Sequence, residues 1–122
     1  MSEIKSFDEL LGTTDLAIQE VDTSEWWGGS VFVRELDSEG FGIFIQLTGA
    51  SGKSTFDSDN LAVICALSMC DKSGKLLVER KGWKAAAKKM SERNFNAVSA
   101  VAMAALEVSN LTNSKVDEAG KD

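Results

Sequence analysis

The arrangement that most resembles working chemistry is Gly49-Ala50-Ser51-Gly52-Lys53-Ser54-Thr55, which follows an apolar run and ends in Gly-Lys-Ser like a phosphate-cradling loop. Such a loop needs four residues between its glycines, so that successive backbone amides can surround the phosphates. Here two residues separate Gly49 from Gly52, and the position five before Gly52 is Leu47. The apolar residues 61–70 followed by Asp71 imitate a strand ending in a metal-binding acid. Too few residues lie between the two elements for the helix and crossover that a parallel pair requires. A degenerate nucleotide binder is the enzyme alternative, and the spacing argues against it.

Other reactive constellations are thin. The chain has no His and no Tyr, which removes the commonest acid/base catalyst and transition-metal ligand and a further proton donor. Asp8-Glu9 and the Asp57/Asp59 pair fall at expected loops and helix starts, where the helix dipole accounts for acids without catalysis. Cys65 and Cys70 lie five apart in one apolar segment and read as reduced core thiols. No catalytic, cofactor-binding or metal-ligating set is expected.

What remains is binding. Residues 25–36, Glu-Trp-Trp-Gly-Gly-Ser-Val-Phe-Val-Arg-Glu-Leu, join an aromatic pair, a two-glycine turn and an alternating run. Gly28-Gly29 predicts a two-residue hairpin loop. That loop would put Trp27, Phe32, Val21 and Leu36 on one face and Trp26, Val31 and Val33 on the other. A hairpin apolar on both faces needs two covering layers, supplied by its own helices or by another protein. Aromatic residues serve interfaces well because they give large contact area for little lost entropy. Trp27 is expected in the core and Trp26 at a contact. The candidate protein-binding residues are Trp26, Trp27 and Arg34 at the hairpin, and Trp83, Lys84 and Lys88 on a basic helix.

Charge is segregated. Residues 1–60 carry twelve acids against three bases, net −9, whereas residues 71–93 carry eight bases against three acids, net +5. Residues 94–122 contribute −2, giving −6 in all. This polarity suits head-to-tail self-association, in which the acidic end of one copy meets the basic end of the next. The basic run 72–93 with its single Trp also admits a nucleic-acid-binding or regulatory role, which the acidic half of so small a domain opposes.

The remaining elements follow from local signals. A chain of 122 residues makes one domain, expected over 1–111, able to bury about two-thirds of its unfolded surface. Ser6 to Gly12 reads as a capped helical turn, with Glu9 closing the capping box. A strand through Leu16, Ile18 and Val21 precedes the hairpin turn. Asp37-Ser38-Glu39 starts a helix with Phe41, Phe44, Ile45 and Leu47 as its stripe, although Gly40 and Gly42 each cost about 1 kcal/mol relative to Ala. Residues 49–55 read as a mobile loop, 60–70 as a buried helix, and 71–74 as a turn. A basic helix spans 82–90, and an Ala/Ser-rich central helix spans 95–109. Residues 112–122 are expected to be a disordered tail. The uncharged runs are too short to span a membrane and no secretory signal is visible, so a cytosolic protein is expected. The fold class expected is α+β: a mostly helical single domain with one N-terminal β-hairpin.

The order of these elements resembles a known family. Glu20-Val21-Asp22-x-Ser24-Glu25-Trp26-Trp27-Gly28-Gly29-x-Val31-x-Val33-Arg34-Glu35-Leu36 is similar to the N-terminal motif of the tail assembly chaperones of long-tailed, lambdoid-type bacteriophages (siphoviruses). The likeness continues through the apolar residues 60–70, the turn Asp71-Lys72-Ser73-Gly74, the strand-like Lys75-Leu76-Leu77-Val78, and Ala104-Ala105-Leu106-Glu107-Val108-Ser109-Asn110-Leu111. The resemblance implies a non-catalytic protein of the host cytoplasm, absent from the mature virion. Its implied role is to oligomerise on the tape measure protein and keep it soluble while tail tube subunits, a further candidate partner, polymerise around it. It also implies that a frameshift-extended form can accompany the short one.

Overall fold

A computed structural model describes residues 3–51 and 57–111, with backbone alone described at 50 and 51. Positions 52–55 of the expected loop and the expected tail 112–122 lie outside the described residues. The elements are α1 (Phe7–Leu11), β1 (Ile18–Asp22), α2 (Ser24–Trp27), β2 (Ser30–Arg34), α3 (Ser38–Ser51), α4 (Ser58–Ser68), β3 (Met69–Cys70), a 3₁₀ turn (Arg80–Gly82), α5 (Trp83–Met90) and α6 (Phe95–Val108). The fold is α+β and mostly helical, with an N-terminal hairpin forming part of a three-stranded antiparallel sheet in the order β1-β2-β3. Among the described residues no helix is long and apolar enough to cross a membrane.

The core is organised by α4. Its residues from Asn60 to Ser68 are all buried, because α5, α6, α3 and β2 surround it. Such a helix is apolar all round rather than striped. Its buried hydroxyl and thiol both find backbone acceptors: Ser68 Oγ donates to the Ile64 carbonyl one turn back at 2.7 Å, and Cys65 Sγ donates to the Val98 carbonyl of α6 at 3.4 Å. The second bond also shows how closely α6 approaches. Ala97, Ala102, Ala104 and Ala105 are buried on α6, and side chains this small let two helix backbones come together. Phe95 and Met103, the large residues on the remaining side of α6, stay exposed.

The hairpin differs from the sequence expectation in its turn. Gly28-Gly29 is not a two-residue loop; the chain makes one helical turn, α2, before Gly28, which takes φ +78° and ends that turn. Asp22, at the end of β1, turns the chain into it, its carboxylate accepting from the Ser24 amide at 3.0 Å and the Ser24 hydroxyl at 2.6 Å. Thr23, fully buried, donates its hydroxyl to the Gly29 carbonyl at 2.6 Å and ties the two ends of the connection. A two-residue loop would have paired Val21 with Leu36, but the observed partner of Val21 is Val31. The register is thus displaced by an odd number of residues, which exchanges the two faces. Val31 and Val33 accompany Val21 toward the core, whereas Phe32 turns to the opposite face with Ile18 and Arg34. Trp27 and Leu36 pack against the core as expected. The opposite face is partly covered by the turn after β3: Arg34 Nη1 donates to the Gly74 carbonyl at 2.9 Å, and Gly74, at φ +96°, lies directly on Ile18.

Three other boundaries move. The glycine-containing segment beginning at Asp37 is a helix as expected, but it runs on through residues 49–51, the start of the expected loop. The buried helix stops at Ser68, and Met69 and Cys70 become β3, paired with Val33 and Phe32. Residues 75–78 reach the sheet through a single bridge, Cys70 with Leu76, rather than as a strand.

Asp37 joins these parts. One carboxylate oxygen caps α3 by accepting from the Gly40 amide at 2.8 Å, and it also accepts from Arg80 Nη1 at 2.9 Å. The other accepts from Arg34 Nη2 at 3.0 Å. Glu39 Oε1 meets Arg80 Nη1 at 3.2 Å, so two acids and two bases balance. Partial burial acts to raise the Asp37 pKa, but the hydrogen bonds from Arg80 and Gly40 and the charges of Arg80 and Arg34 outweigh it and hold it below the usual 3.8. This also explains Gly40: a Cβ there would stand 3.1 Å from both Arg80 Nη1 and Asp37 Oδ1. At Gly42 a Cβ would meet nothing within 4 Å.

Gly42→Ala is therefore expected to stabilise the domain by about 0.5–1 kcal/mol in urea unfolding. Gly40→Ala should lose that gain to crowding of the ion pair. A depressed carboxylate contributes stability that is present above its unfolded pKa and is lost as pH falls through the folded value. Asp37→Asn should therefore lower the melting temperature at pH 7 and flatten its decline below about pH 5, the residual slope belonging to Asp22 and Asp71, whose pKa values are also lowered.

Candidate protein-binding groove

Trp83, Lys84 and Lys88 come together. Residues 83–90 are helical because alanines and lysines propagate a helix well, and the basic residues Lys88 and Lys89 in the last turn suit the negative end of its dipole. Trp83, Ala86, Ala87 and Met90, at helical spacing, turn toward the core. The adjoining ridge of Lys84 and Lys88 does not. Between this ridge, α4 and the C-terminal part of α3 lies a groove of about 410 Å³, with Leu47, Val63, Trp83 and Ala87 as its apolar floor. Lys84 and Lys88 stand on one side, Asp59 and Asn60 at the start of α4 on the other, and Ser91 at the end. Lys84 Nζ sits 5.7 Å from the centre of the Trp83 ring, within the range of a cation–π contact.

The lining combines an apolar floor with two ammonium groups, Lys84 and Lys88, and one carboxylate, Asp59, a set whose cationic edge is chemically suited to an apolar side chain with an acid beside it. The floor removes apolar surface from water, and the two ammonium groups favour carboxylates at its edge. Lys84 and Lys88 are also one helical turn apart, where like charges repel by a few tenths of a kcal/mol. An acidic ligand would relieve that repulsion.

The other sequence candidates are placed differently. Arg34 is held inward by Asp37 and the Gly74 carbonyl, which makes it a strut of the fold. Trp26 and Trp27 do not project from opposite faces of a strand, because both lie on the helical turn α2. Trp27 packs on the core, and Trp26 is half-buried outside the core cluster. The basic run is divided: Arg80 turns in to Asp37 and Glu39, Lys81 pairs with Glu79 at 3.6 Å, and Lys84 and Lys88 edge the groove. Leu47 is expected only as part of a core stripe, and Val63, Ala87 and Ser91 carry no site signal of their own, although 83, 87 and 91 repeat at helical spacing. Cys65 and Cys70 are buried and free, and burial pushes the Cys65 thiol up to about 12.

A second surface was also not legible. On α1, Ser6 caps the turn by accepting from the Glu9 amide, as the capping box predicts. Yet α1 buries none of its residues, and Ile4, Phe7, Leu10 and Leu11 are 53%, 70%, 43% and 65% exposed.

No family model, no curated protein and no solved structure matches this chain.

Trp27→Ala should cost about 2 kcal/mol or more of stability, because it uncovers the core, whereas Trp26→Ala should cost less than about 1 kcal/mol. Chemical denaturation of both variants measures the difference. Cys65 should resist a thiol-specific reagent in the folded chain and react once urea unfolds it, since a buried, protonated thiol is a poor nucleophile.

Proposed function

We propose that this chain is a non-catalytic tail assembly chaperone of a long-tailed bacteriophage, which self-associates and holds the tape measure protein soluble in the host cytoplasm. The observation that carries this reading is the groove between α4 and α5, whose apolar floor and lysine edge suit a protein segment bearing acids. The chain's acidic N-terminal half supplies such segments, so the polarity favours assembly of copies head to tail. The motif in residues 20–36 and the order of elements that follows it support the family assignment.

The mechanism is avidity. A long helical client exposes an apolar stripe that aggregates unless it is covered. One weakly binding copy covers little of it, but linked copies make each further contact intramolecular and multiply the overall affinity. Growth of the tail tube along the client would then displace the copies, because each individual contact is weak. Catalysis has no part in such a cycle.

Co-expression with the tape measure protein of the same phage tests the proposal. The wild-type chain should move the client into the soluble fraction, and Lys84→Glu/Lys88→Glu should leave it insoluble while melting like wild type. A client that is equally soluble with either chain, or with neither, would overturn the reading.

A further inference from the structure

We propose that the groove between α4 and α5 is filled by the N-terminal segment of a second copy, residues 3–11, with Phe7 and Leu11 on its floor and the acids of the segment against Lys84 and Lys88. The inference rests on the self-association in the reading above and names the contact that would produce it.

Four observations converge. First, Phe7 and Leu11 stand one helical turn apart on α1 with Leu10 beside them, Ile4 lies on the extended residues just before the cap, and all four are exposed next to a turn that buries nothing. An exposed row of this kind on so small an element has the form of a helix-in-groove ligand. Second, the turn is already ordered by its own caps: the Glu9 amide donates to Ser6 Oγ at 3.1 Å, and the Lys5 amide donates to Glu9 Oε2 at 3.2 Å. Less ordering entropy is then lost on docking. Third, the charges match. Glu3, Asp8 and Glu9 outnumber Lys5 on the segment, while Lys84 and Lys88 outnumber Asp59 along the groove. Fourth, the groove's lining runs from residue 47 to residue 91, and no residue of the same copy's α1 is part of it.

The placement of Lys84 adds weight. It lies in the first turn of α5, where the helix dipole disfavours a cation, and one turn from Lys88. Both penalties fall when carboxylates arrive. Because α1 and the groove are different patches, the contact is heterologous: each copy keeps a free segment at one end and a free groove at the other. Chains or rings of copies follow.

Complementation between two full-length variants tests this without any client. Phe7→Ser/Leu11→Ser removes the ligand and keeps the groove, while Lys84→Glu/Lys88→Glu spoils the groove and keeps the ligand. Each alone should sediment as a monomer, with association weakened about tenfold or more. An equimolar mixture should form a 1:1 heterodimer and grow no further. A synthetic peptide of residues 3–13 should dissociate wild-type oligomers, and its Phe7→Ser form should not; this arm does not depend on the folding of any variant. Wild-type-like association of either variant, absence of the heterodimer with both variants folded, or no effect of the peptide would overturn the proposal. If instead only the tape measure protein protects Trp83 from quenching, the groove belongs to the client and the proposal fails. Heterodimer formation without any gain in client solubility would leave this contact standing and refute the chaperone reading.

Discussion

The burial of α4 on every side is the constraint from which the rest of the domain follows. A helix apolar all round cannot be satisfied by one neighbour, so α5, α6, α3 and β2 must all reach it. Each of those elements then has a fixed inner face and a left-over outer one. For α6 the inner face is built from alanines, because the helix must approach closely enough for Cys65 to bond the Val98 carbonyl. For β2 the inner face is Val31 and Val33, and the register of the hairpin is whatever delivers them there.

The same demand shapes the groove. The eight residues of α5 turn Trp83, Ala86, Ala87 and Met90 inward while Lys84 and Lys88 remain in solvent. Where α3 and α5 fail to meet over α4, Leu47 and Val63 are left at the bottom of a trough. The polar counterpart is the Asp37 cluster, which fixes the start of α3 and the 3₁₀ turn leading into α5 through Arg80. Substitution of Arg80 would thus act on the groove from a distance, by releasing the entry to α5.

Local signals were legible and non-local ones were not. The Ser6 cap, the alanine-rich α6 and the basic α5 depend on residues within one turn of one another, and all three are legible in the sequence. Gly28 was misread because the same Gly-Gly pair serves either a tight hairpin or the left-handed end of a helix. Asp22 followed three residues later by Glu25 was a helix-start signal that would have favoured the second choice. The end of α4 had no local mark at all, since Met69 and Cys70 continue its apolar run and leave the helix to pair with β2. Arg34 and Arg80 could not be recognised as struts, because their shared partner Asp37 is distant from Arg80 in sequence. The groove gathers residues from three helices, so the sequence reveals its lysine edge and Trp83 but not the rest of its floor.

The central claim is that opposite charge and an apolar groove join copies of this chain, and its ionic-strength dependence tests it most directly. Sedimentation velocity of the full chain at neutral pH should show species larger than the monomer at low salt, shifting toward monomer as added salt shortens the Debye length from about 30 Å at 0.01 M to about 3 Å at 1 M. A chain that sediments as a strict monomer at high concentration and low salt, or as an oligomer indifferent to salt, would contradict the account.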